Sequence, residues 1–292
     1  MPTFDTPTPI SVTVELGVGD IRIVASDRRD TVVEVRPSDD AKKPDVSAAD
    51  RTGVEFAEGE LVIKGPKGWR HFGVRSEAEA ITVQVELPSG SQLQGQTGVA
   101  VLHATGRLGE CHYKTGVGDI HIDRAGPLHL RSGSGDIAVG EAGGPTEVTT
   151  GSGSIRIGRI DGTAVVKNSN GDTSIGVVTG DLRVNAANGT IVVDRAQATV
   201  EAKTANGDLC LREVARGEVL AQTALGKVDI GVLDGVTAYL DLDTRFGSVH
   251  NELDSVERPE AGGDTVEVRA RTAIGDVTVR RSLAHDAGPI AL

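Results

Sequence analysis

The sequence predicts an all-β chain wound as a single-stranded parallel β-solenoid with coils of about 18 residues. Three observations carry this. Glycine is in excess, at 38 of 292 residues, against a usual share of roughly 7%. The glycines recur at a fixed period. Between them, apolar and polar residues alternate in twos, which is the period of a strand and not of a helix.

The recurring motif is TGxGDIxI. It reads TGVGDIHI at 115–122, SGSGDIAV at 132–139 and TGSGSIRI at 150–157, with an early copy, LGVGDIRI, at 16–23. Looser copies (NSNGDTSI, AANGTIVV, TANGDLCL, TALGKVDI, TRFGSVHN, TAIGDVTV) follow. The shared glycines are Gly118, Gly135, Gly153, Gly171, Gly189, Gly207, Gly226, Gly247 and Gly275, spaced 17, 18, 18, 18, 18, 19, 21 and 28 apart. A second turn column (Gly109, Gly126, Gly144, Gly162, Gly180) runs about nine residues out of phase. Fixed short periods mark repeat architectures. An antiparallel meander also fits nine-residue segments, but it has no reason to keep Gly, Asp and Ile in one order. A stack does, because each residue lies over its counterpart about 4.8 Å away. About ten coils then give a rod roughly 45 Å long.

Within GDIxI the two apolar columns face a core. One is Ile120, Ile137, Ile155, Thr173, Ile191, Leu209, Val228, and the other Ile122, Val139, Ile157, Ile175, Val193, Leu211, Ile230. Residues between them, such as His121, Arg156 and Asp229, face solvent. Glycine supplies corners where φ is positive. The columns divide the chain into an irregular N-terminal β region or cap (1–95), regular repeats (96–281) and a tail (282–292). Inside the first, Pro37–Arg51 reads as an acidic insertion or short helix and Val54–Phe56 with Leu61–Lys64 as a hairpin. Asp254–Asp264 reads as an insertion that stretches the last spacing to 28.

Thirty basic against 42 acidic residues give a net charge of −12. That argues against nucleic acid, which needs a basic surface. Four Phe, two Tyr and one Trp are few for stacking bases or sugars. No stretch reaches the 18 or so apolar residues of a membrane span, and MPTFDTPTPI lacks the pattern of a secretory signal, so the expected compartment is the cytoplasm. Two cysteines, Cys111 and Cys210, make no disulfide framework. Cys111 falls in an apolar column, Cys210 in an outward one.

The GDI/GDL repeats, the opening ISVTVELGVGDIRIVASDRRDTVVEVRP and the segment LVIKGPKGW resemble a bacterial putative-adhesin family of β-strand-repeat proteins, abundant in actinobacteria and of unknown function. The resemblance runs from Val12 to Arg281. It implies a β-helix-like fold without established enzymatic chemistry.

Candidate chemistry is sparse. Asp119, Asp136, Asp172, Asp208 and Asp276 follow the turn glycines and could bind calcium, but Ser154, Thr190, Lys227 and Ser248 interrupt them. The alternative is hydrogen bonding to turn backbone. Asn170, Asn188 and Asn206 form a corner ladder. His103 with His121, and His112 with His129, are one coil apart, each offering a metal only two ligands. No cofactor or metal is expected. Lys67, Trp69, Arg70, His71 and Phe72 form the one basic, aromatic cluster. It is either a partner-binding patch or a cap over the core. No G-x-S-x-G, P-loop, HExxH or CxxC is present. The expected function is a non-catalytic scaffold or binding module for an unknown protein partner. Alternatives are envelope adhesion or carbohydrate binding, and a polymerising solenoid.

Overall fold

Period-two alternation lets a strand bury one face, and a glycine corner lets the chain return to bury a second strand opposite the first. The computed structural model shows this winding; it describes residues 1–66, 79–254 and 264–282. They contain 25 strands and one helix, Lys43–Arg51. They fall into two compact units, Met1–Val139 and Gly140–Leu292. Each regular turn of the winding, here called a rung, supplies one strand to each of two facing sheets.

The second unit is the more regular. On one face, Thr146–Ser152, Ala164–Asn170, Leu182–Asn188, Val200–Asn206 and Gly217–Leu225 pair in parallel. On the other, Ile155–Ile160, Thr173–Val178, Ile191–Ala196, Leu209–Val214 and Val228–Val232 do the same. The register keeps like over like: Val148 over Val166 over Val184, and Ile157 over Ile175 over Val193. These side chains are 0–1% exposed. Outward columns carry rung-to-rung ion pairs, among them Arg183–Glu201 at 2.8 Å and Arg212–Asp194 at 2.9 Å. Exposed pairs of this kind contribute little singly.

The order of the last rungs departs from the sequence. Gly217–Leu225 pairs with Thr265–Ile274, and Thr265–Ile274 pairs with Thr237–Phe246. On the other face Val228–Val232 pairs with Val277–Arg281, which pairs with Val249–Asn251. The rung from 265 to 281 is thus inserted between its two predecessors, and 237–251 is outermost. The 28-residue spacing therefore spans two rungs stacked in exchanged order, and most of the segment read as an insertion, 254–264, lies outside the described residues. Burial explains the preference. Val266, Val268, Ala270, Val277 and Val279 are all 0% exposed and suit a rung covered on both sides. Leu240, Leu242, Val249 and Asn251 stand at the matching positions of the outermost rung, and there Val249 is 44% exposed.

The first unit begins differently. Ser11–Ser26 and Gln92–Arg107 are long strands that serve both faces, paired from Ser11↔Gln92 to Val24↔Thr105. On one face the sheet starts with the antiparallel pair Gly53–Ala57 and Glu60–Lys64. On the other it starts with Thr3–Asp5 antiparallel to Asp30–Pro37, itself antiparallel to Ala80–Pro88. The helix has Pro44 at its start, and Ala48 and Asp45 are its buried residues. The buried Asp45 carboxylate accepts the Ala80 N–H at 3.0 Å, anchoring the helix beside that sheet. Phe4 and Phe56 pack with ring centroids 4.9 Å apart and planes tilted by 32°, joining the first strands of the two faces.

Candidate interaction surface

The corner of each rung is built from four columns, three residues and one residue before the turn glycine, the glycine itself and the residue after it. The first is a threonine three residues before the turn glycine, a position not singled out by sequence reasoning. Thr223 Oγ1 donates to the Gly207 carbonyl at 3.0 Å, Thr272 to Gly226 at 3.0 Å and Thr244 to Gly275 at 2.9 Å. Each hydroxyl thus fastens its rung to the neighbouring corner. Asn168 replaces the hydroxyl with its amide, donating to Gly153 at 3.0 Å. The signal was the T that opens most copies of the motif, as in TGxG and TAxG. We expect Thr223→Val, similar in shape but without the donor, to lower unfolding free energy by about 1 kcal/mol, read from urea denaturation.

The turn glycines form another column. Gly118, Gly171 and Gly207 have φ of +133°, +133° and +146°. The aspartates after them bond not to their own turn but to the next: Asp119 accepts the Asp136 N–H at 2.8 Å, Asp172 that of Thr190 at 2.9 Å and Asp208 that of Lys227 at 2.7 Å. Their carboxylates are thereby engaged in stacking, and no group of three or more metal-ligating side chains occurs among the described residues.

The remaining column, immediately before the glycine, points outward. Asn170, Asn188 and Asn206 interlock, with Asn188 Nδ2 to Asn170 Oδ1 at 2.8 Å and Asn206 Nδ2 to Asn188 Oδ1 at 2.9 Å. The positive φ belongs to the glycine, and the asparagines contribute a side-chain ladder. In register the ladder continues as Leu225, Ile274 and Phe246. These are 53%, 52% and 72% exposed. Three adjacent apolar side chains about 4.8 Å apart make a ridge roughly 10 Å long. Exposed Arg245 and Lys227 stand beside Phe246 and two residues after Leu225. An apolar centre with a charged rim is the anatomy of a protein interface. Nothing in the stacking requires apolar residues there, since asparagine serves the same column.

The first unit carries a shallow groove of about 370 Å³, lined by Thr13, Glu15, Gln94, Gln96 and His112 around Gly95. His112 bonds to Glu110 at 2.7 Å and stacks on His129 at 5.5 Å. On the opposite sheet His103 stacks on His121 at 4.8 Å, 4° from parallel. Burial lowers the pKa of His103, and neighbouring His121 and Arg22 lower it further, against weaker attraction from Asp20 and Asp119. The unfolded chain protonates this histidine near pH 6.5, before the folded one does. Its contribution to stability is therefore constant above that pH and falls as pH drops through the unfolded value toward the folded one. We expect His103→Gln to lose less stability than the wild type between pH 7.5 and 5, by urea midpoints. Equal losses would remove the histidine as the cause.

Of the other predicted positions, Cys111 is buried, its thiol pushed up to about 12, and Cys210 is half-buried; both are free. Lys67, Trp69, Arg70, His71 and Phe72 lie outside the described residues, as does most of the 282–292 tail.

Fold and corners together define a β-solenoid repeat protein, with stacking written into nearly every turn. The chain belongs to the Toastrack DUF4097 family, which matches residues 9–280. No curated protein matches it. Similar solved structures include a putative cell adhesion protein from Clostridium sporogenes (14% identity, 96% of this chain and 98% of that one, TM-score 0.24). A putative adhesin from Bacteroides fragilis (10%, 95% and 96%, 0.35) is another, as is a putative lipid binding protein from Parabacteroides distasonis (12%, 95% and 95%, 0.33). No helix among the described residues is long and apolar enough to cross a membrane.

Proposed function

We propose that the protein is a non-catalytic solenoid scaffold that binds a partner protein along the ridge of Leu225, Ile274 and Phe246. The observation that carries this is the change from a bonded asparagine ladder to exposed apolar residues within one column. Contiguous exposed apolar surface marks interaction sites. The rest of the corner chemistry is used for stacking. The two free cysteines suit a reducing, cytoplasmic setting.

The test substitutes all three ridge residues with asparagine, the residue the same column uses at 170, 188 and 206. Immobilised wild-type and triple-variant protein are compared for capture from the native host. Loss of a specific partner with an unchanged melting temperature supports the reading. Identical captures sink the ridge, and turnover of a polysaccharide by purified wild type sinks the non-catalytic assignment.

The groove on the first unit favours a second reading, carbohydrate binding. Its amides and imidazole suit hydroxyl groups. Calorimetric titration with cell-wall glycans, and loss of any heat in Gln94→Ala, would support it.

A further inference from the structure

We propose that the outermost rung, residues 237–251, is the contact through which two copies of this chain join in a closed two-fold pair. This goes beyond the scaffold reading and does not depend on the ridge.

Among the described residues, Thr237–Phe246 pairs only with Thr265–Ile274, and Val249–Asn251 only with Val277–Arg281. Among those residues each therefore has one edge with no strand beside it, the usual template for addition of another strand. The inward column of this rung is open too. Ala238, Leu240, Leu242 and Thr244 are half-buried, where Val266, Val268, Ala270 and Thr272 of the adjoining rung are buried.

The occupant follows from the other unit. A continuing polymer needs a matching parallel edge where the first unit starts. There the sheets start instead on antiparallel strands, Gly53–Ala57 and Thr3–Asp5, with Phe4 packed against Phe56 and the helix anchored beside them. Those strands are five and three residues long and leave most of a ten-residue edge unmatched, whereas that edge can match itself along its own length. Self-addition about a two-fold axis is isologous and closes at two.

The strand is self-complementary for this. Antiparallel self-pairing that keeps the inward column inward must be centred on a residue, so that even positions meet even positions. Four such registers keep at least seven residues paired, centred on residues 240 to 243. Centring on Asp241, on Leu242 or on Asp243 sets Asp241 or Asp243 against another carboxylate. Centring on Leu240 opposes no carboxylates: Leu240 meets Leu240 on the axis, Leu242 meets Ala238, and Asp241 meets Tyr239. The terminal section, about 33 Å by 10 Å, buries only about 700 Å² in total, below the standard size of specific interfaces, so weak association, on the order of tens of micromolar, is expected.

The test is sedimentation equilibrium of the full chain from about 1 to 200 µM. The mass should rise from 30.3 kDa toward twice that value and stop. Leu240→Lys, which sets two like charges against each other on the two-fold axis, should remain monomeric while still folded. Leu225→Asn on the ridge should still double, which separates this pair from partner binding. Should Leu240→Lys fail to fold, hydrogen exchange replaces it: the amides of 237–246 in wild type must gain protection as concentration rises. A monomer at 200 µM overturns the proposal, whether those amides are protected by another segment of the chain or left bare. Mass growing beyond two copies, or an undiminished pair in folded Leu240→Lys, overturns it as well.

Discussion

Gly207→Ala should destabilise the protein by about 3–5 kcal/mol, at the upper end of what single substitutions do. Two costs combine. The φ of +146° lies in a region that L side chains rarely adopt, worth about 1–3 kcal/mol of strain. The added methyl would also sit 2.0 Å from the Gly189 carbonyl oxygen on the neighbouring rung. That oxygen belongs to backbone, so the two rungs themselves must separate, weakening the backbone bonds from the Gly189 N–H to Asn206 and from the Ile191 N–H to Asp208 that join them. Gly53→Ala is the control. A methyl there meets nothing within 4 Å, and the change should stay within about 0.5 kcal/mol. Urea denaturation of both variants tests this; similar costs at the two positions would show that corner geometry is not what constrains the stack.

The second large effect concerns Tyr113, the one buried aromatic among the described residues, 2% exposed. It stands in an inward column between Gly95 and Leu130, with Val14 beyond the glycine. Its ring occupies the space that a side chain at Gly95 would fill: a Cβ there would lie 2.4 Å from Tyr113 Cδ2. Its hydroxyl pairs with Thr97 Oγ1 at 3.0 Å, and burial raises its pKa to about 12. Tyr113→Ala should therefore cost about 3–5 kcal/mol. Gly95→Leu should cost about 1–3 kcal/mol by overpacking. The double variant restores an aliphatic column and should be more stable than Tyr113→Ala alone, a coupling measurable as a double-mutant cycle. Additive costs would mean that the two positions do not share one space.

These two sites mark where the sequence was readable and where it was not. The repeat was legible because stacking forces identical backbone at each corner, and only glycine tolerates it. Gly118 to Gly226 therefore appear as a column without any coordinates. Aliphatic columns such as Ile155 and Ile191 were legible for the same reason. The exchange of the last two rungs was not, because one rung's pattern fits either position and the choice depends on which apolar set is better covered. The hydroxyl column was visible as letters, but its bond runs to a residue about 16 positions away. The ridge was missed because Asn170, Asn188 and Asn206 read naturally as turn formers. Following their column onward to Leu225, Ile274 and Phe246 would have exposed the change in chemistry.

The exchanged rungs also bear on synthesis. Residues 237–251 leave the ribosome before 265–281, when the exposed edge is that of 217–232. At about 5–20 residues per second, the 30 residues from 252 to 281 take roughly 2–6 s to follow. Throughout that interval the early strand can dock in the place reserved for the later one. Where it docks there, the mature order is reached only by its displacement, so winding in sequence order does not by itself produce this arrangement of rungs.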